Sequence, residues 1–479
     1  MKTPPLSLAS TLLLAAACFN PSGSDPTTGT TATGGPATSD GPGGPGSTAS
    51  GEGDTLSSGA PTSGEPVTTT AATGDTSSGT GTTGEPCDAD VCPCDSATEC
   101  AAGQQCLDGA CVECIDSTTC NGRVCDPIAH VCRDCREHSE CPKTACELDD
   151  GVCFPVVATS HAHVDPGLTC GDQPCTADQP CCSIGQAMTQ YIDASHLVVH
   201  LGPGTYMSGV RLVEGGRKVA VLGSELTVFE VSGEPAVRLG DEMQADAIDS
   251  ELYVADIRIE GGTGEAAIRC KSAAQLWLDD VRIESYVGRA ISTSECVAMV
   301  RRSELALNVH AIAIDQGSTL QLENTLVAHY NMGAALEVGV TSGAHLLYTT
   351  LGDATQHAAG LFACVDGTAM LSARNSALLS HGLGGTFSCA SSSLQLTDSV
   401  VSDSTLENVD TNVAVIQPQQ VAPLFQGWGG GDLHVLGDGG LLAGKARWKQ
   451  GDPGTDVDGD PRPMMDGAPD VAGGDRPPG

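Results

Sequence analysis

A unit of roughly two dozen residues recurs along the chain, and this repeat restricts its fold more than any other feature. Between Ala266 and Asp410 a small residue followed by an apolar one returns as Ala267-Ile268, Ala290-Ile291, Ala311-Ile312, Ala335-Leu336, Gly360-Leu361 and Thr386-Phe387. Their apolar members are 23, 21, 24, 25 and 26 residues apart. A second column runs through Asp256, Asp280, Asn324, Asn375 and Asp398, with Arg302 and Thr350 in the same phase. Two residues before it stand Val254, Leu278, Val300, Leu322, Tyr348, Ala373 and Leu396; three after it stand Ile259, Ile283, Leu305, Val327, Asp353, Leu378 and Val401. Positions five apart face opposite sides of a straight strand. Both sets are mostly apolar, so the backbone must turn a corner at the polar residue. Asp and Asn suit such corners, because a short polar side chain bonds the local backbone and tolerates a left-handed conformation.

Two or three short strands per unit, without a helical stripe, describe one coil of an all-β solenoid. A single coil buries one side only, so coils must stack to close a core. In periodicity and architecture, residues from roughly 160 to 435 resemble the right-handed parallel β-helix of the pectin-lyase-like superfamily. The stretch from Leu197 to Tyr206, LVVHLGPGTY, adds to this: a strand, a Gly-Pro-Gly turn and Thr-Tyr recur at this point in such proteins. Before it, Ser183-x-x-Gln186 has the form of a capping box, followed by Ile184, Ala187, Met188, Tyr191 and Ile192 on one helical face. A helix near 183–192 would close the open end of the solenoid, where the first coil otherwise exposes sheet edges.

The 23 cysteines indicate an oxidising, extracytoplasmic compartment. Residues 1–17 read as a signal peptide: Met1-Lys2, then an apolar run from Leu6 to Ala17 that is too short to span a bilayer. Leu14-Ala15-Ala16-Ala17-Cys18 resembles a bacterial lipobox, which makes Cys18 the expected lipidation site and leaves 22 cysteines, an even number, for pairing. Acyl chains on Cys18 would anchor the chain to a membrane without a spanning segment. The Phe19 that follows points, by resemblance to sorting rules, to the outer membrane or cell surface. Residues 18–86 are rich in Thr, Ser, Gly and Pro, too poor in apolar groups to offset ordering entropy, and read as a disordered tether with a reach on the order of 45 Å.

Residues 87–154 are a cysteine-rich repeat region. Cys94, Cys100, Cys106 and Cys111 form one unit; Cys114, Cys120, Cys125 and Cys132 the next; Cys135, Cys141, Cys146 and Cys153 the third; Cys87 and Cys92 precede them. Units this small need staples. Regular spacing and an export signal favour disulfides over zinc, with three pairings open for each unit. Cys170, Cys175, Cys181 and Cys182 read as two more bridges. Cys270 with Cys296, and Cys364 with Cys389, lie about one coil apart and are expected to bridge neighbouring coils. The solenoid region is set at 155–440, and 441–479 as a disordered acidic tail.

The net charge of −38 disfavours nucleic-acid binding, which rests on Lys and Arg neutralising phosphates. The resemblance implies polyuronate lyases, which combine calcium-holding carboxylates with a basic arginine or lysine, or hydrolases built on several Asp residues. The matching cluster is Asp279, Asp280 and Arg282, with Asp256 and Arg258 one coil earlier, although neither enzyme group's signature is present. Asp256 and Asp280 already serve as corners, and Arg258 and Arg282 beside Glu260 and Glu284 read as a solvated charge ladder. The leading expectation is therefore a non-catalytic surface lipoprotein whose solenoid face serves a structural, adhesive or glycan-binding role, with polysaccharide or another surface protein as partner. A lyase or glycosidase and a metal-binding or sensing module are the alternatives. For the last, His161, His163 and Asp165 alternate along one strand face and form a metal candidate; His310, His329, His357 and His381 close four successive coils. Calcium is the possible cofactor: Asp456, Asp458 and Asp460 have the opening spacing of a calcium loop, but its twelfth position falls on Gly467.

Overall fold

The computed structural model describes residues 94, 96–240, 249–272, 274–329, 334–353, 361–380, 387–389, 394–402 and 412–477. Cys18, the tether, Cys87 and Cys92, His357 and His381 lie outside these residues, as does the His329 side chain.

The repeat forms a parallel β-solenoid. Among the described residues, strands stack coil upon coil in a 16-stranded sheet and an 8-stranded sheet. Pairing holds the sequence columns in register: Val237, Ile268, Ile291, Ile312, Leu336, Phe362 and Phe387 follow one another through the smaller sheet. The column passes through Phe362 rather than Leu361, since Phe362 is the residue that pairs with Leu336.

The corner also forms as expected. Asp256, Asp280, Arg302, Asn324, Tyr348, Asn375 and Asp398 all have φ between 45° and 56°. Here the sequence column needs one correction. Asn324 and Tyr348 fall opposite each other between the pairs Glu323–Leu347 and Thr325–Thr349, so the corner of that coil is Tyr348, not Thr350. Shifting by two replaces Tyr348 and Asp353 in the flanking columns by Leu346 and Leu351. Every flanking residue then belongs to one continuous core, from Val254 and Ile259 to Leu396 and Val401. The left-handed residue lets positions −2 and +3 point inward together, and each such side chain contributes about 1.5–3 kcal/mol through burial. One position after the corner, Ser303, Thr325, Thr349, Ser376 and Ser399 form an internal hydroxyl ladder; Ser376 Oγ accepts from Thr349 N at 3.2 Å and Ser399 Oγ from Ser376 N at 3.1 Å. These buried hydroxyls satisfy amides that the sharp corner turns away from the sheet.

Helix α1 (Ile184–Gln190) closes the N-terminal end, with Ile184, Ala187 and Met188 in the core. Ser183 caps it by accepting from Gln186 N at 3.2 Å, while the Gln186 side chain reaches Gly171 O at 2.7 Å and ties down the preceding loop. The cysteine-rich units pair first with third and second with fourth cysteine: Cys94–Cys106 and Cys100–Cys111, Cys114–Cys125 and Cys120–Cys132, Cys135–Cys146 and Cys141–Cys153. Cys170–Cys182, Cys175–Cys181, Cys270–Cys296 and Cys364–Cys389 are also bonded. The last cysteine unit packs on the large sheet's outer face, where Phe154 and Ala145 cover Val198, Ala220 and Tyr253. Lys218 joins the two regions, 2.6 Å from Glu147 and 3.0 Å from Glu251.

The expectation of a disordered tail over 441–479 is overturned. Residues 446–447 pair with 469–470, and Leu442, Trp448, Val471 and Ala472 share a second core with Trp428, Leu433, Tyr348, Leu326 and Ala377. Arg462 is buried, stacks 3.9 Å from the Tyr348 ring centroid, and bonds Asp470 and Asn324, each at 3.1 Å. Asn375 exchanges two hydrogen bonds with the backbone of Arg447. The polar composition of the tail hid this, because only a few apolar residues, Leu442, Ala446, Trp448, Val471 and Ala472, make the contact with the solenoid wall.

Candidate functional site

The C-terminal segment docks on the corner column from Asn324 onward. The earlier corners, Asp256, Asp280 and Arg302, are left lining an open cleft of about 590 Å³ whose far side includes Val457 and Asp458. Adjacent coils stack these residues about 4.8 Å apart, and Arg258 and Arg282 occupy matching register on the next strand. Five carboxylates (Glu225, Asp256, Asp280, Glu304 and Asp458) face three guanidiniums (Arg258, Arg282 and Arg302).

Each guanidinium is already countercharged. Arg258 lies 2.5 Å from Glu260 and 3.9 Å from Glu284. Arg282 pairs with Glu284 and lies 3.6 Å from Glu304. Arg302 holds Asp279 at 2.8 Å and Glu137 of the cysteine-rich region at 2.7 Å. Asp256 and Asp280 hydrogen-bond one another; the cleft walls strip water from Asp256 and, with the negative charges of Asp280 and Asp279, push its carboxyl up to about 6. Desolvation raises Asp280 and Glu304 as well, against the pull of Arg302 and Arg282 respectively. At the rim, the hydrogen bond that His434 donates to the Asp458 carboxylate, aided by Asp432 and Glu304 against the cost of burial, lifts His434 to about 10.

The expected catalytic trio is therefore divided. Asp280 and Arg282 reach the cleft, but Asp279 is 2% exposed and turned away into an ion-paired cluster with Arg301 and Arg302. Burial would raise its carboxyl, yet the two arginines outweigh that and hold it below the usual range. Asp279 is a structural anchor: Arg301 also donates to Arg136 O at 2.7 Å, so the cluster fastens the last cysteine unit to the solenoid. The contributions of Glu304, Asp458 and His434 were not visible in sequence, since nothing local marks where the tail docks.

The metal expectations are redrawn too. The strand ends at Val164, and the Asp165 carboxylate turns back to accept from Gly167 N at 2.8 Å. His161 and His163 instead meet His200 of the next coil: His161 Nδ1 lies 3.2 Å from His200 Nε2, and the His163 and His200 rings stack at 4.6 Å. Burial, with the neighbouring His163 and His161, lowers His200 to about 4. The supposed histidine column does not form from its first two members, because His310 belongs to the smaller sheet and His329 to the larger. In the expected calcium loop, Asp456 is fully buried; it accepts from Asp458 N, Asp460 N and Arg476 N, and so serves to close a backbone turn.

No protein-family model matches the chain, and neither does any curated protein. Among solved structures, the crystal structure of pectate lyase Pel9A is similar, with 11% identity and a TM-score of 0.31, covering 64% of this chain and 96% of that one. At that distance the likeness carries no inference about chemistry. The parallel β-solenoid rests on the strand pairing itself.

Proposed function

We propose that this chain is a lipid-anchored, extracytoplasmic binding protein that holds a neutral glycan in the cleft bounded by Asp256, Asp280, Arg282 and Glu304. The countercharging of every cleft guanidinium carries this reading. A polyuronate would need unpaired positive charge, whereas sugar hydroxyls need fixed donors and acceptors side by side, which paired carboxylates and guanidiniums supply. Cys18 is the proposed anchor, and the segment from 18 to 86 the spacer that lifts the solenoid off the membrane.

The test is retention of the purified chain, including its complete C-terminal segment, on immobilised neutral and acidic glycans, with 235 nm absorbance followed in parallel. Retention on a neutral glycan that falls at least tenfold in Arg282→Ala, without new absorbance, supports the proposal. Unsaturated product from a polyuronate, abolished by Asp280→Asn, would establish a lyase instead. Labelling with radioactive palmitate, lost in Cys18→Ser, tests the anchor.

A further inference from the structure

At the N-terminal end of the large sheet, the strand Thr159–Val164 runs parallel to His196–Leu201, with His163 directly opposite His200 and His161 opposite Val198. His161 and His163 are two residues apart and therefore share the outer face. All three histidines are half-buried. One coil further on, the same outer columns carry Ala220 and Leu222 in place of ligands. The cluster is thus confined to two coils.

We propose that His161, His163 and His200 bind one divalent transition-metal ion of the zinc class. Imidazole nitrogens bind zinc at about 2.0–2.1 Å, and the edge of a tetrahedron of that radius is about 3.3–3.4 Å. The 3.2 Å between His161 Nδ1 and His200 Nε2 matches that edge, so two ligand atoms already stand at the spacing the ion requires. A shared hydrogen bond between the two rings holds them there without metal. His163 stacks against His200 from the strand position directly opposite it, and is the third ligand of the proposed site. Three imidazoles leave a fourth position for water or an external ligand. The donor set selects the ion: nitrogen ligands suit zinc, copper and nickel, while calcium and magnesium demand oxygen. Asp165, occupied in its own turn, is not among the ligands. The ion would lock the first strand of the solenoid to the second.

The experiment titrates the chelator-stripped full chain with zinc chloride alone in a non-coordinating buffer, read by calorimetry. One site per chain is expected, lost in the double variant His161→Ala/His200→Ala, weakened at least tenfold in His163→Ala, and unchanged in His310→Ala, which alters a histidine of the other sheet. To guard against variants that fail to fold, the ring-proton NMR signals of the unaltered chain are followed as well; zinc should shift those of His161, His163 and His200 and leave that of His310 in place. Absence of a stoichiometric step, equal binding by the double variant, or ring shifts confined to other histidines would each overturn the proposal.

Discussion

Replacing Asp279 by alanine separates a structural anchor from a catalytic group. Its carboxylate receives three charge-assisted hydrogen bonds, from Arg301 Nη2 at 2.7 Å and from Arg302 Nε and Nη2 at 2.9 and 2.8 Å. At about 1.5–3 kcal/mol each, their sum would be about 4.5–9 kcal/mol. The loss is smaller, because Arg302 keeps Glu137 and Arg301 keeps Arg136 O. Removing one partner of a buried pair costs about 3–5 kcal/mol, mostly as the orphaned charge left behind, and that is the expected destabilisation. Urea unfolding of the full chain, followed by tryptophan fluorescence, measures it; Trp277 stacks 6.3 Å from Tyr253 at the junction this anchor secures. The pH dependence carries a sign. A carboxyl held below its unfolded pKa contributes fully above that pKa and loses its contribution as pH falls through the lower folded value. The gap between parent and variant should accordingly close below the ordinary value of 3.8. A destabilisation under about 1 kcal/mol at neutral pH, or a gap unchanged at pH 2, would refute the anchoring role.

Gly352→Ala should cost about 1–3 kcal/mol through overpacking, since a new Cβ would stand 2.8 Å from Trp428 Cζ3 and 3.0 Å from Leu433 Cδ2; faster proteolysis of the C-terminal segment reports the loosened docking. Replacing Cys364 and Cys389 together opens a cross-link spanning 25 residues, for which loop entropy gives about 3.5 kcal/mol, measured as a shift in the urea midpoint under oxidising conditions. His434, raised to about 10, should support the fold fully below its ordinary pKa near 6.5 and lose that support as pH rises through 10; NMR titration with a midpoint below 8 would contradict the contacts that raise it.

Much of the solenoid was legible in the sequence because its constraint is local and repeated. Asp256, Asp280, Asn324, Asn375 and Asp398 mark corners by residue type, and one left-handed residue per coil suffices to turn both flanking apolar positions inward. Residue type does not mark every corner: Tyr348 occupies one that its own chemistry does not favour, and only its place opposite Asn324 fixes it there. The disulfides Cys270–Cys296 and Cys364–Cys389 followed from coil spacing, whereas connectivity inside each cysteine-rich unit needed coordinates, since the same four residues permit three pairings.

What the sequence by itself determined is therefore the coil: its period, its corners, its interior and its sealed N-terminal end, all written in residues that are near neighbours along the chain. Tertiary structure alone decided which polar residues meet. It sent Asp279 into an anchor and Asp280 into a cleft one residue away, brought His200 to His161 across 39 residues, and laid Arg462 on Tyr348. Stacking turns a one-dimensional pattern into a core, but a polar side chain takes its role from whichever partner the next coil or the returning tail places against it.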